Sequence, residues 1–135
     1  MARSLTFLHT SPVHIRTFTL LGKELAPDVP LEHIVDESLL REACDAGGVT
    51  PHFEQRVQET LLEAVDQGVA VIVCTCSSVG AIAEMVNQQV TPAVMRIDRS
   101  MAEEAVTKGS RIIVAATLST TLIPTRKSPV KLWQF

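Results

Sequence analysis

No apolar run in these 135 residues approaches the ~20 that a bilayer-spanning helix needs, so no membrane partner is expected. The start, Met1-Ala2-Arg3-Ser4-Leu5, lacks a long hydrophobic core and a cleavage site, so no signal peptide is expected either. Cysteines are few. Cys44, Cys74 and Cys76 make an odd count without framework spacing, which points to a reducing, cytoplasmic compartment. There is no basic stripe: the net charge is −3 and the Lys and Arg residues are scattered, which speaks against nucleic acid. A phosphate loop and a GxGxxG are both absent, which weighs against kinases and dehydrogenases. No internal repeat or low-complexity linker interrupts the chain.

What is present is one ordinary soluble domain. Hydrophobic content of 46% and charged content of 20% suit a packed core, not disorder. Short apolar runs alternate with amphipathic ones. Leu5 to Leu8 reads as a strand, and Ile15, Phe18, Leu21 and Leu25 as one face of a helix ended by Pro27 and Pro30. Leu31 to Val35 is a second strand, followed by Asp36 as the cap of a helix bearing Leu39, Leu40 and Ala43. After Gly47-Gly48, Thr50-Pro51 starts a helix carrying Phe53, Val57, Leu61 and Ala64, which stops at Gly68.

Val69 to Cys74 is the continuous apolar run of a buried parallel strand. A helix capped by Ser77 or Ser78 follows, with Val79, Ile82, Ala83 and Val86 inward. Ala93 to Ile97 makes a fourth strand, Ser100 and Glu103 a capping box, and Arg111 to Ala116 a fifth strand after Gly109. This rhythm predicts an α/β, flavodoxin-like three-layer domain with a parallel sheet of four to five strands over residues 1–126. The segment 127–135 holds the only Trp and breaks the rhythm, so it reads as a separate tail.

Open α/β sheets bind ligands where their strands end. Those ends are polar here: His9-Thr10-Ser11, Thr75-Cys76-Ser77-Ser78, Arg96-Ile97-Asp98, and Thr117 with Ser119, Thr120 and Thr121. Cys76 stands between a buried strand and a helix start, where free amides stabilise a thiolate and attract a carboxylate. It reads either as a general base beside an anion site or as a structural cysteine. Cys74 and Cys44 read as core residues. A redox pair of Cys74 and Cys76 is disfavoured, and no second pair completes a four-ligand zinc site. His9 reads as a substrate contact or a strand-end filler, His14, His33 and His52 as surface or boundary residues, and Asp98 as a helix cap or a ligand orienter.

Taken in order, Leu8-His9-Thr10, His33 to Leu40, Gly47 to Pro51, Thr75 to Gly80, Arg96 to Asp98, Met101 to Val106 and Ala115 to Thr125 resemble the aspartate/glutamate racemase superfamily. The resemblance implies two facing α/β domains, each lending a cysteine to one face of a substrate's α-carbon. Neither a cofactor nor a metal is implied. Cys76 then matches the first catalytic cysteine. Ser77 and Ser78 stand where the family often has Asn and Thr, and His9, Thr10, Ser11, Thr117, Thr120 and Thr121 match the polar loops around the substrate, a small carboxylic or amino acid. No second motif-borne cysteine follows, so the chain is expected to correspond to an N-terminal half, a truncation or shifted reading frame included. An exposed inter-domain face would favour a homodimer that sets Cys76 against its own mate. The alternative is a non-catalytic module that binds a small acid or a protein partner.

Overall fold

A computed structural model describes residues 4–126; the 127–135 tail read above lies outside the described residues. Four parallel strands, β1 (Leu5–His9), β2 (Leu31–Val35), β3 (Val71–Cys74) and β4 (Ala93–Arg96), form one sheet in the order β2-β1-β3-β4. Six helices surround it: α1 (Ile15–Leu25), α2 (Glu37–Asp45), α3 (Pro51–Asp66), α4 (Ser77–Asn87), α5 (Arg99–Lys108) and α6 (Ser119–Arg126). The domain is α/β and flavodoxin-like, as the rhythm of the sequence predicts.

Strand alternation divides the core between two faces. Leu8, Ile72, Cys74 and Val94 point to one face and meet Leu39 and Ala43 of α2, Phe53, Val57, Leu61 and Ala64 of α3, and Val79, Ile82, Ala83 and Val86 of α4. Phe7 and His9 point to the other, where Phe18 of α1 lies 5.0 Å and 5.6 Å from their rings. Helix starts follow the expected chemistry: Asp36 accepts from the Ser38 amide (3.0 Å), and Thr50 accepts from that of Phe53 (3.1 Å) ahead of Pro51. Gly68 (φ +86) supplies the left-handed turn that ends α3. Arg56 of α3 ties down α2 through Glu42 (2.6 Å) and Asp36 (3.2 Å).

Five expectations need correction. Residues 111–116 form no strand: Ile113 is 94% exposed, and the run makes no ladder. The β4 edge that would receive it already has its outward Val94 amide bonded to the Asn87 side chain (2.8 Å), and β-branched composition is only a propensity. Ser77 and Ser78 do not cap α4; Cys76 occupies the N-cap, with no side-chain cap bond. The Ser100 capping box does not form, because α5 starts at Arg99 behind Asp98, and Glu103 pairs instead with Arg99 (3.2 Å). Cys44 is exposed, since α2 turns Leu39 and Ala43 inward and the next residue lies about 100° around the helix. Leu21 and Leu25 also stay exposed, because α1 seats on β2 through buried Gly22 against Leu31.

One close approach locks the right-hand side of the sheet. The Arg96 guanidinium lies flat on α4 at Gly80, where an added Cβ would meet it at 2.6–2.9 Å. Gly80→Ala is therefore expected to destabilise the fold by about 2 kcal/mol, the range of overpacked cores, as read by urea denaturation. Gly109→Ala, where a Cβ meets nothing within 4 Å, should change stability by less than about 0.5 kcal/mol.

Candidate functional site

The order of the strands puts a topological switch point between β1 and β3, because the chain leaves β1 toward β2 and later crosses back. The C-terminal ends of these two strands meet directly. Leu8 O accepts both the Thr75 amide (3.0 Å) and the Thr75 hydroxyl (3.1 Å). His9 Nδ1 lies 2.8 Å from Thr75 Oγ1, and Cys76 is the next residue. Its backbone is still extended (φ −103, ψ 124) before α4 begins, and its thiol is free and half-buried.

The first turn of α4 follows at once. The leading amides of a helix lack their i−4 partner; here the Val79 amide turns back to Cys76 O (3.1 Å), and Cys76 gives no side-chain cap bond to those of Ser77 and Ser78. They form an electropositive patch suited to a carboxylate beside the thiol. Beside it, the Asp98 carboxylate receives Arg96 Nε (2.5 Å) and Nη2 (2.8 Å). Burial works to raise the Asp98 pKa, but the hydrogen bonds and charge of Arg96, with Ser77, bring it below the ordinary carboxylate value. Asp98 is thus neither a side-chain cap nor a free group: it is the partner of a buried cation.

The remaining predicted residues fall in different places. Thr10 is buried, and Ser11 caps the short 3-10 turn Pro12–His14. Ser78 is buried and donates to Thr120 O (3.4 Å), joining α4 to α6. Thr120 is buried with an Oγ1 that finds no partner among the described residues. Thr121 is half-buried and Thr117 exposed. Ser78 and Thr120 line a cleft of about 630 Å³ with the Gly47–Thr50 loop, Ala81, Met85 and Ile123; Cys76 is not among its walls. The structure therefore gathers His9, Thr75, Cys76, Ser77 and Asp98 at the strand ends, and places Ser78 and Thr120 around a neighbouring cleft.

Two features escaped the sequence reading. Read as a surface or boundary residue, His33 in fact bonds His9 Nε2 through its Nδ1 (2.9 Å) and Thr19 through its Nε2 (2.9 Å). Its place opposite Phe7 in the β1–β2 register, two pairs from His9 and so on the same face, was the available signal. Arg96 was read only as part of a polar strand end, yet it is buried with a full carboxylate partner. Among the described residues, no group of three or more His, Cys, Asp or Glu can hold a metal ion, and no helix is long and apolar enough to cross a membrane. No protein-family model, curated protein or solved structure matches the chain.

The cysteines differ sharply. Burial, with the nearby Cys76 adding to it, pushes the Cys74 thiol up to about 12, so it is inert at neutral pH. His9 is shifted the other way: burial, reinforced by His33 and His14, lowers its pKa from 6.5 to about 4. Between those values the unfolded chain binds a proton that the folded chain refuses, so stability is flat above about 6.5 and falls toward pH 4. The loss from this one group approaches ~3 kcal/mol. Denaturation midpoints measured between pH 7 and pH 5 should fall in the wild type and fall less in His9→Gln. A midpoint constant over that range contradicts this account of His9.

Proposed function

We propose that this chain carries a cysteine acid/base site of the type used by cofactor-independent amino-acid racemases, acting at the α-carbon of a small carboxylic or amino acid of the aspartate/glutamate kind. The observation that supports it is the placement of Cys76: a free thiol at the C-terminal end of a central strand, beside the switch point and at the uncapped start of α4. On this reading the substrate carboxylate accepts from the first amides of α4. The Cys76 sulfur, as thiolate, takes the α-proton, and the electron pair of the broken C–H bond moves into the carboxylate as an enediolate. Proton return from the same sulfur gives exchange with retention. Return from an acid on the opposite face gives inversion.

That second acid is proposed to come from another copy of the chain in a homodimer in the cytoplasm. One observation supports self-association. Ala93 and Met95 of β4 face away from α4 and remain exposed, as do Ile97, Leu21 and Leu25.

A second reading, small-acid binding without turnover, is favoured by the cleft beside Ser78 and Thr120, which takes no wall from Cys76. Deuterium incorporation at the α-carbon of aspartate and glutamate in D2O separates the two. The acid/base reading expects incorporation by the wild type and a fall of at least about a hundredfold in Cys76→Ala, the scale of a lost general base. Saturable binding that survives Cys76→Ala, with no incorporation by either protein, favours the binding module. Loss of optical activity at the same rate as exchange places a second acid opposite the thiol.

A further inference from the structure

We propose that Thr19, His33, His9 and Thr75 form a one-way hydrogen-bond chain that positions Cys76. The inference rests on the reading of Cys76 as the proton-handling thiol, but its geometry does not. One atom sets the direction of every bond. Leu8 O can only accept, so the Thr75 hydroxyl donates to it. Thr75 Oγ1 must then accept from His9 Nδ1–H at 2.8 Å, which leaves His9 Nε2 a bare acceptor. His33 Nδ1–H donates to that nitrogen at 2.9 Å, and His33 Nε2 accepts from the Thr19 hydroxyl at 2.9 Å. Both imidazoles are thereby fixed as Nδ1–H tautomers.

The chain runs from α1, across β2 and β1, to the last residue before Cys76. The Phe7 ring stacks 5.9 Å from His9 and 5.4 Å from His33, and Phe18 lies 5.6 Å from His9, so a broken bond here has little water to replace it. The titratable groups facing His9 are His33 from β2 and His14 from the turn before α1. α1 presents Phe18 and β3 presents Thr75, both uncharged, and no carboxylate acts on the ring. With both imidazoles neutral, every bond of the chain has one donor and one acceptor; a proton added to each ring would set two N–H groups against each other across 2.9 Å. Thr19, His33 and His9 are thus positioning residues, acting on Cys76 through Thr75.

The test uses the full chain labelled with ¹⁵N-histidine, with His9 signals assigned by their loss in His9→Gln. Long-range ¹H–¹⁵N spectra at neutral pH should show His9 and His33 both as Nδ1–H. Iodoacetamide labelling of Cys76, resolved by peptide mass spectrometry, is compared with exposed Cys44 on α2 as internal reference. His33→Leu should shift the Cys76-to-Cys44 rate ratio by about tenfold, the worth of one buried hydrogen bond. His33→Asn, whose side-chain amide stands near the lost Nδ1–H, should restore it to within about threefold. Thr19→Val, at the outer end of the chain, should shift the ratio in the same direction. An Nε2–H tautomer for His9, or a ratio unmoved in folded His33→Leu and Thr19→Val, overturns the proposal. Neither readout requires turnover. Expected tautomers and ratios without any α-proton exchange would therefore sustain the positioning chain and sink the acid/base reading.

Discussion

The buried guanidinium of Arg96 is the constraint on which the right-hand half of the molecule depends. It leaves the end of β4, lies on α4 at Gly80, takes the Asp98 carboxylate in a two-bond grip, and reaches Pro124 O of α6 at 3.4 Å. Glu84 of α4 stands 3.9 Å from its Nη1, the one nitrogen with no hydrogen bond among the described residues. A buried ion pair adds little net stability over an apolar substitute, but removing one partner strands the other and costs about 3–5 kcal/mol. Its contacts join β4, α4, α6 and the residue that precedes α5 through one buried group.

A second polar system occupies the opposite face of the same strand ends. Alternation along β1 sends His9 toward α1, while Leu8 packs toward α4; along β4 it sends Arg96 toward α4. Cys76 thus leaves the sheet between a hydrogen-bonded imidazole pair on one side and a paired cation on the other. The two respond to acid in different windows. His9 begins to oppose folding below about 6.5, whereas the depressed Asp98 loses its contribution only as pH falls through its ordinary value of 3.8 and below. Acid accordingly loosens the α1 face first and leaves the α4 face held.

Much of the fold is legible in the sequence because its signals are local. Thr50-Pro51, Asp36 and Gly68 mark helix ends through bonds and torsions made within a few residues, and the apolar spacing of Phe53, Val57, Leu61 and Ala64 fixes the buried face of α3. The misses arise where distant residues decide. Residues 111–116 have strand composition, but pairing is a property of the edge, and Asn87 has already taken the outward amide there. Ser100 has the spacing of a cap, but the engagement of Asp98 with Arg96 goes with an earlier helix start. Cys76 was legible as a strand-to-helix thiol from its neighbours alone. His33 was not, because its partners lie 24 and 14 residues away and only the parallel register brings them together.

The same distinction bears on how substrate is gripped under the proposed reading. Several hydroxyls expected to hold a carboxylate are engaged or displaced: Ser11 caps the 3-10 turn, Ser78 bonds Thr120 O, and Thr117 lies exposed. The Ser77 and Ser78 amides of α4 receive no side-chain cap from Cys76, and their direction is set by a helix whose inner face is fully packed on the sheet. On the proposed reading, anion recognition beside Cys76 rests on these amides more than on the polar side chains. This relaxes the demand for particular residues at positions 77 and 78. A rigid helix start then suffices where the resembling family often uses Asn and Thr, provided that the strand end bearing the thiol is equally fixed. The two hydrogen bonds that Thr75 donates to Leu8 O meet that condition on β3, and His9 secures the hydroxyl that makes one of them.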